Sequence, residues 1–305
     1  MKHFPARIFF LLMAIGVVAF STTSCFHDTT SDVSGSNAGD TLKRIVSLDG
    51  MVTELLYQLE LGEQIVGIDV TSTYPEEELK GKPQLGHVSQ LNAEAILALR
   101  PDLIICKKQD LNNPVLAQLI SAGVNVFGIT TTTHFNNAIE VARQLQTKLS
   151  ISEAGIGELT QNIAADSLRL ANLLEETTHQ PNILFLYARG TGRLFVSGSG
   201  TPVAAMLEKA GGRNAVTNFS DYKELSPEAL LAANPEVLLL FESGLNSLEG
   251  MDGLGEIPGM AQTTAYQHKR VITMDGHYLS SFGPRAAQAA YDLALQLQVF
   301  SQTEL

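Results

Sequence analysis

LNAEAILALRPDLIIC, residues 91–106, returns as LSPEALLAANPEVLLL, residues 225–240, and this duplication decides the fold. The two segments share Leu91/Leu225, Glu94/Glu228, Ala95/Ala229, Leu97/Leu231, Ala98/Ala232 and Pro101/Pro235. In each, Asn92 or Ser226 is placed to cap a short helix, because its side-chain oxygen can accept from a free N–H of the first turn. Ile96 with Leu97, or Leu230 with Leu231, sets the apolar face. Pro101 and Pro235 lack the N–H that a longer helix needs and so end it. The acid that follows leads into DLIIC or EVLLL, a continuous aliphatic run of the kind that buried parallel strands show. The chain thus carries one helix, proline, strand unit in each of two lobes.

Around the first copy, RIVSL (44–48), QIVGI (64–68) and NVFGI (125–129) are further short apolar strands, separated by helical patterns such as MVTELLYQLEL. Around the second, NILFLY (182–187), RVITM (270–274), TPVAAMLEKAG and AAQAAYDLALQL repeat the scheme. Such alternation predicts an α/β fold with a small parallel sheet in each lobe, flanked by helices. A length of 305 residues agrees, being too long for one ordinary core. Between the lobes, 152–178 holds no proline, and Ile156, Leu159, Ile163, Leu170 and Leu173 recur at helical spacing. Ser150 and Glu153 read as a capping box at its start. One backbone helix of about 40 Å is expected there, at 1.5 Å per residue. The expected organisation is an N-terminal lobe over 43–150, a linking helix over 151–180 and a C-terminal lobe over 181–305, with a ligand cleft between the lobes.

The first 24 residues read as a signal peptide: Lys2 and Arg7 precede the apolar run IFFLLMAIGVVAF, which is shorter than a membrane span and gives way to STTSC. Cys25 stands where cleavage falls and makes the leader resemble that of a bacterial lipoprotein, acylated on Cys25, although Thr22 occupies a position usually held by Leu. Residues 25–42, rich in Ser, Gly, Asp and Asn, read as a flexible tether. The protein is therefore expected to be exported and lipid-anchored at the periplasmic face of the envelope. A formal charge of −12 argues against nucleic acid as a partner. Besides Cys25 the only cysteine is Cys106, at the end of an apolar strand, where a buried, inert thiol is expected.

From Lys43 onward the chain resembles the substrate-binding proteins of bacterial ABC importers for haem, cobalamin and ferric siderophores. The resemblance is carried by RIVSLDGMVTELLYQLELGEQIVGID, QLNAEAILALRPDLII, AGGRNAV, LSPEALLAANPEVLLL, IPGM and QHKRVITMDGHYLSSFGPR. QLNAEAILALRP and AYQHKRV look most like the haem-binding branch. The resemblance implies a binding protein, not an enzyme, that captures haem as transported cargo and hands it to the importer's membrane subunits. In this family an acidic residue on each lobe docks onto arginines of those subunits, and the matching positions are Glu94 and Glu228. Two equivalent carboxylates suit a two-fold partner. Read from residues alone, both are acids that favour a helix N-terminus.

Haem needs an apolar slot, an axial ligand for iron and donors for its propionates. His87 lies in the loop before the first repeat helix, where haem-binding relatives place an iron-ligating Tyr with an Arg two residues on; this chain has His87 and Ser89. Imidazole also ligates iron, so His87 is the expected axial ligand. In the second lobe relatives bring a His near Arg189. In its place stand Tyr187, Arg189 and Arg193, the arginines either meeting propionates or belonging to a turn, since RGTGR is rich in turn formers. His277 and Tyr278 complete the candidate set. His134, His179 and His268 read as surface residues. Cobalamin or a ferric siderophore is the alternative cargo on the same architecture. A manganese or zinc protein would want three or four converging ligands where two His can be placed, and no motif supports an enzyme such as a reductase or dehalogenase.

Overall fold

The computed structural model describes residues 43–302; the signal peptide, Cys25 and the tether lie outside the described residues. The first lobe is built on four strands, β1 (Ile45–Ser47), β2 (Ile65–Ile68), β3 (Leu103–Lys107) and β4 (Val126–Ile129), in the order β2-β1-β3-β4. Every pair is parallel. The second lobe contains β5 (Asn182–Ala188), β6 (Leu194–Ser197), β7 (Arg213–Asn214), β8 (Tyr222–Glu224), β9 (Val237–Phe241) and β10 (Val271–Met274), in the order β10-β9-β5-β6-β8 with β7 also on β5. Here β10, β9, β5 and β7 are parallel, as in the first lobe. An antiparallel arm, β6 and β8, is added that the strand patterning did not distinguish. Its origin is the turn RGTGR, in which Gly190 takes φ +68° and reverses the chain after β5.

The duplicated unit is a structural repeat. Its helices are Ala93–Ala98 and Pro227–Ala233, and β3 and β9 begin and end at equivalent residues. Asn92 Oδ1 accepts from Ala95 N at 3.0 Å and Ser226 Oγ from Ala229 N at 3.1 Å, the expected caps. Just before each proline the backbone turns left-handed, at Arg100 (φ 47°) and Asn234 (φ 32°). A residue preceding proline cannot continue the helical conformation, so each copy leaves its helix through that reversal.

Each sheet is covered on both faces. Leu55, Leu56 and Val141 belong to the cluster on one side of the first sheet, and Ile96, Leu116 and Leu119 to the cluster on the other. In the second lobe, Met206, Leu207 and Leu293 pack on one side and Leu230, Leu254 and Met260 on the other. Cys106 is fully buried among the apolar residues of the first sheet, and burial pushes its thiol up to about 12. It is an inert packing residue.

A single helix, Glu153–Glu175, joins the lobes. Its 23 residues rise about 35 Å. Ile156, Leu159 and Ile163 belong to the core of the first lobe, and Leu170 to that of the second. The last helix, Ala286–Gln302, packs along it: Arg169 lies 4.4 Å above the Tyr291 ring, and Gln298 Nε2 donates to Leu173 O at 3.2 Å. The capping box expected of Ser150 and Glu153 does not form. Ser150 is left-handed at the end of the preceding helix, Asn137–Leu149, while Ser152 caps the long one by accepting from Gly155 N at 3.0 Å. Glu153 instead takes a hydrogen bond from Gln146 at 2.5 Å.

Because this helix feeds both cores, Ile163→Ala is expected to lower global stability by about 2–5 kcal/mol while keeping one cooperative transition. Urea unfolding followed by circular dichroism checks this, and a two-step profile would show the lobes melting separately.

Candidate functional site

In both sheets the parallel strands run with their carboxyl ends toward a common cleft, the usual place for a ligand in α/β layers. Lys107 ends β3 and Phe241 ends β9, so they are equivalent in the repeat, and both line one cavity of about 420 Å³. Its other walls follow β1 (Asp49, Gly50, Met51), β2 (Thr71, Thr73) and β10 (Asp275, Gly276, His277), with Ser243, Ser280 and Ser281. A second bay of about 380 Å³ shares Lys107, Ser280 and Ser281 and extends past Thr131, Thr132, Thr133 and His134. His134, which reads as a plain surface residue in the sequence, therefore borders the cleft.

The floor is charged but neutralised. Lys107 Nζ meets Asp49 Oδ2 at 2.8 Å, and Asp49 also caps the helix Gly50–Gln58 by accepting from Val52 N at 3.2 Å. Burial alone would lower the Lys107 pKa, but Asp49, together with Asp110 and Asp69, outweighs it and the pKa is raised. Gly50 is required at the contact between lobes: a Cβ there would stand 2.2 Å from Thr71 O and 2.8 Å from His277 Nδ1.

Deeper in the cleft, Glu54 of the first lobe is 3% exposed. Its Oε1 accepts from Arg285 Nε at 2.7 Å, and its Oε2 accepts from Arg285 Nη2 at 3.2 Å and from His277 Nε2 at 2.6 Å. Burial pushes the carboxyl upward, yet the hydrogen bonds and charges of His277 and Arg285 outweigh it and hold it below the ordinary 4.5. The Arg285 guanidinium also lies 3.4 Å above the Tyr74 ring and 4.8 Å above that of Tyr278. Tyr74 and Glu54 come from the first lobe, and Arg285, His277 and Tyr278 from the second. The cluster ties the lobes together.

The candidate residues divide accordingly. His277 lines the cavity, but its Nε2 is committed to Glu54. Tyr278 is not among the cavity residues. Its hydroxyl donates to Asp292 Oδ2 at 2.7 Å on the last helix, and burial together with that carboxylate raises its pKa, which disfavours an iron-binding phenolate. Neighbours on a helix point about 100° apart, so His277 and Tyr278, on the single turn Gly276–Ser280, face different ways. Tyr187 packs edge-on against Phe241 at 5.9 Å, with the Arg189 guanidinium 5.4 Å from its ring. Arg189 and Arg193 are exposed on the β5–β6 turn, where Arg189 N donates to Arg193 O at 3.2 Å.

His87 is exposed and outside both bays. Its Nδ1 accepts from Ser89 N at 3.2 Å and stands 2.8 Å from Ser89 Oγ. Accepting at Nδ1 puts the proton on Nε2. A ring that bound a metal through Nε2 would move its proton to Nδ1 and donate it to Ser89 Oγ. Glu94 and Glu228 are exposed in the first turns of the repeat helices, and among the described residues neither makes an ion pair.

Residue patterning missed Lys107, Phe241, the Glu54–Arg285 pair and Tyr222. Tyr222 is 44% exposed and its ring lies 6.4 Å from that of Tyr187, extending the aromatic edge that starts at Phe241. A partial signal was present: Tyr222 stands three residues ahead of Leu225, in the segment that matches the one holding His87, four residues ahead of Leu91. Among the described residues no group of three or more His, Cys, Asp or Glu is placed to hold a metal ion, and no helix is long and apolar enough to cross a membrane.

Comparison with known proteins places these features in context. The pattern of the family described as periplasmic binding protein matches residues 45–278. Among solved structures the chain is similar to the periplasmic heme-binding protein RhuT from Roseiflexus sp. RS-1, with 37% identity and a TM-score of 0.81 over 85% of this chain and 99% of that one. It is also similar to an ABC transporter substrate-binding lipoprotein of Bacillus subtilis, YvrC, at 26% identity over 83% of this chain and 79% of the relative. A vitamin B12-binding protein of Photorhabdus laumondii is 28% identical over 83% of this chain and 87% of its own length.

The Glu54 cluster generates a test. Glu54→Gln keeps the shape but leaves Arg285 without its counter-charge, and is expected to cost about 3 kcal/mol at neutral pH. Because the folded-state pKa of Glu54 lies below 4.5, its contribution is complete above that value and fades as pH falls through the lowered pKa. Wild type and Glu54→Gln should therefore converge in stability in acid, a trend that thermal melts across pH would reveal.

Proposed function

Since the chain belongs to the periplasmic binding protein family, and so is an extracytoplasmic substrate-binding protein of an ABC importer, we propose that its cargo is haem. Proteins of this family are non-enzymatic transport components that work with membrane subunits. The observation that carries the haem reading is the run of rings that starts at the cavity wall with Phe241 and continues through Tyr187 to Tyr222, with the Arg189 guanidinium over Tyr187 and Arg193 on the same turn. A flat apolar macrocycle with two carboxylates needs such an edge: rings to lie against and guanidinium groups for the propionates. His87, on the loop of the opposite lobe, supplies the axial nitrogen to iron, with Ser89 Oγ as the acceptor that sets its tautomer. His277 stays on Glu54 and shapes the floor. Its commitment there makes His87 the better candidate for the metal. In this reading Cys25 carries the lipid anchor, and Glu94 and Glu228 face arginines of the two membrane subunits.

A second cargo has its own support. Thr71, Thr73, Ser243, Ser280 and Ser281 give the cavity many hydroxyl groups, which suit the amide side chains of a corrin, and relatives include proteins named for vitamin B12. Absorption separates the two, since haem gives a Soret band and cobalamin a different visible spectrum.

Titration of purified protein with haem is expected to give a saturable Soret change, and His87→Ala to shift the band and weaken binding about tenfold, roughly 1.4 kcal/mol. Saturable binding of cyanocobalamin with no haem response would replace haem by the corrin reading. For docking, Glu94→Ala with Glu228→Ala should abolish uptake in cells while the purified protein binds haem as before. Normal uptake would reject the role given to the two glutamates.

A further inference from the structure

We propose that Leu97 and Leu231 are a matched pair of apolar docking contacts, one per lobe, that seat on the two membrane subunits of the importer. The inference rests on the docking role proposed for Glu94 and Glu228 and adds what those glutamates touch beside them. Leu97 is 41% exposed and Leu231 47%, whereas Ile96 and Leu230 on the same two helices are fully buried. Ile96 and Leu230 anchor their helices to the core, while Leu97 and Leu231 leave close to half of their surface outside it, Leu231 with one flank beside Gly259. Isolated exposed leucines are ordinary and need no explanation. These two differ because they fall at equivalent positions of the structural repeat, on helices that each also present a glutamate with no ion pair among the described residues.

Geometry joins each leucine to its glutamate. Residues three apart on a helix are neighbours on its surface, so Leu97 lies beside Glu94 and Leu231 beside Glu228. The other exposed positions on these helices are compact: Ala95 and Ala98 in one lobe, Pro227, Ala229 and Ala232 in the other. Each lobe thus presents an acidic point and a leucine standing above a low alanine surface. The complementary partner surface is a cation next to an apolar socket, present twice. A pair of like membrane subunits related by two-fold symmetry has that form. The two kinds of contact have separate tasks: the exposed carboxylates steer encounter and weaken with salt, while the leucines, once desolvated, slow dissociation.

The test uses full-length, haem-loaded protein and the purified importer in lipid nanodiscs, with binding kinetics read at low and high salt. Leu97→Ala and Leu231→Ala are each expected to raise the dissociation rate about tenfold and by similar factors, with little dependence on salt. Glu94→Ala with Glu228→Ala is expected to slow association, most at low salt. If the leucine variants dissociate like wild type while the glutamate variant binds weakly, the apolar pair is overturned and the docking face stands. If only one leucine matters, the matched pair is likewise overturned. A glutamate variant that binds like wild type removes the docking reading itself, whatever the leucines do. Unchanged circular dichroism and haem affinity in each variant exclude misfolding as the cause.

Discussion

A carboxylate shut away from water has to be met by cations or hydrogen-bond donors, and Glu54 meets this demand only by drawing on the other lobe. His277 and Arg285 fill both of its oxygens, and Arg285, held by that ion pair, lies over Tyr74. Thr71 O of the first lobe and His277 Nδ1 of the second together leave no room for a side chain at Gly50. One charge buried in the first lobe thereby sets where the second lobe's loops stand and gives the cavity its inner wall. The long helix and Phe135, which packs against both cores, hold the same arrangement from outside the cleft.

The cleft has two chemical characters. Its inner part is lined by hydroxyls, by Lys107 paired with Asp49 and by Asp275, and it offers many polar contacts. On the second lobe its wall includes Phe241, from which Tyr187 and Tyr222 continue an aromatic run with Arg189 over the Tyr187 ring. A cargo with an apolar plate and a polar rim can use both at once, which is a property of haem and of corrins alike. The two readings therefore part at the metal ligand, where the protein's own nitrogen has to enter.

The repeat was legible because helix-stopping prolines, capping residues and aliphatic strand runs are local signals, and Asn92, Ser226, Pro101 and Pro235 act as their chemistry requires. The long helix was legible from Ile156, Leu159, Ile163 and Leu170, but its start was displaced by two residues, since Ser150 and Ser152 are equally good caps on paper and only the end of the preceding helix chooses between them. The site was less legible. Glu54 sits in an apolar helical run and pairs with Arg285, far along the chain, so no local pattern could connect them. Tyr278 follows His277 in sequence, and only the turn they share shows that the two side chains part company. Lys107 and Phe241 share no chemistry, yet their equivalence was already implied by the repeat.

The stiff connection has a consequence for traffic. A helix anchored in both cores resists relative travel of the lobes, so under the docking role proposed for Glu94 and Glu228 the two carboxylates would keep much the same separation with the cleft empty or full. An importer that measures that separation alone meets the same footprint in both cases. Empty carriers would then queue for the same berth as loaded ones, and import would follow the fraction of carriers loaded more closely than their total number. A cell short of cargo would slow its own uptake by making more of this protein.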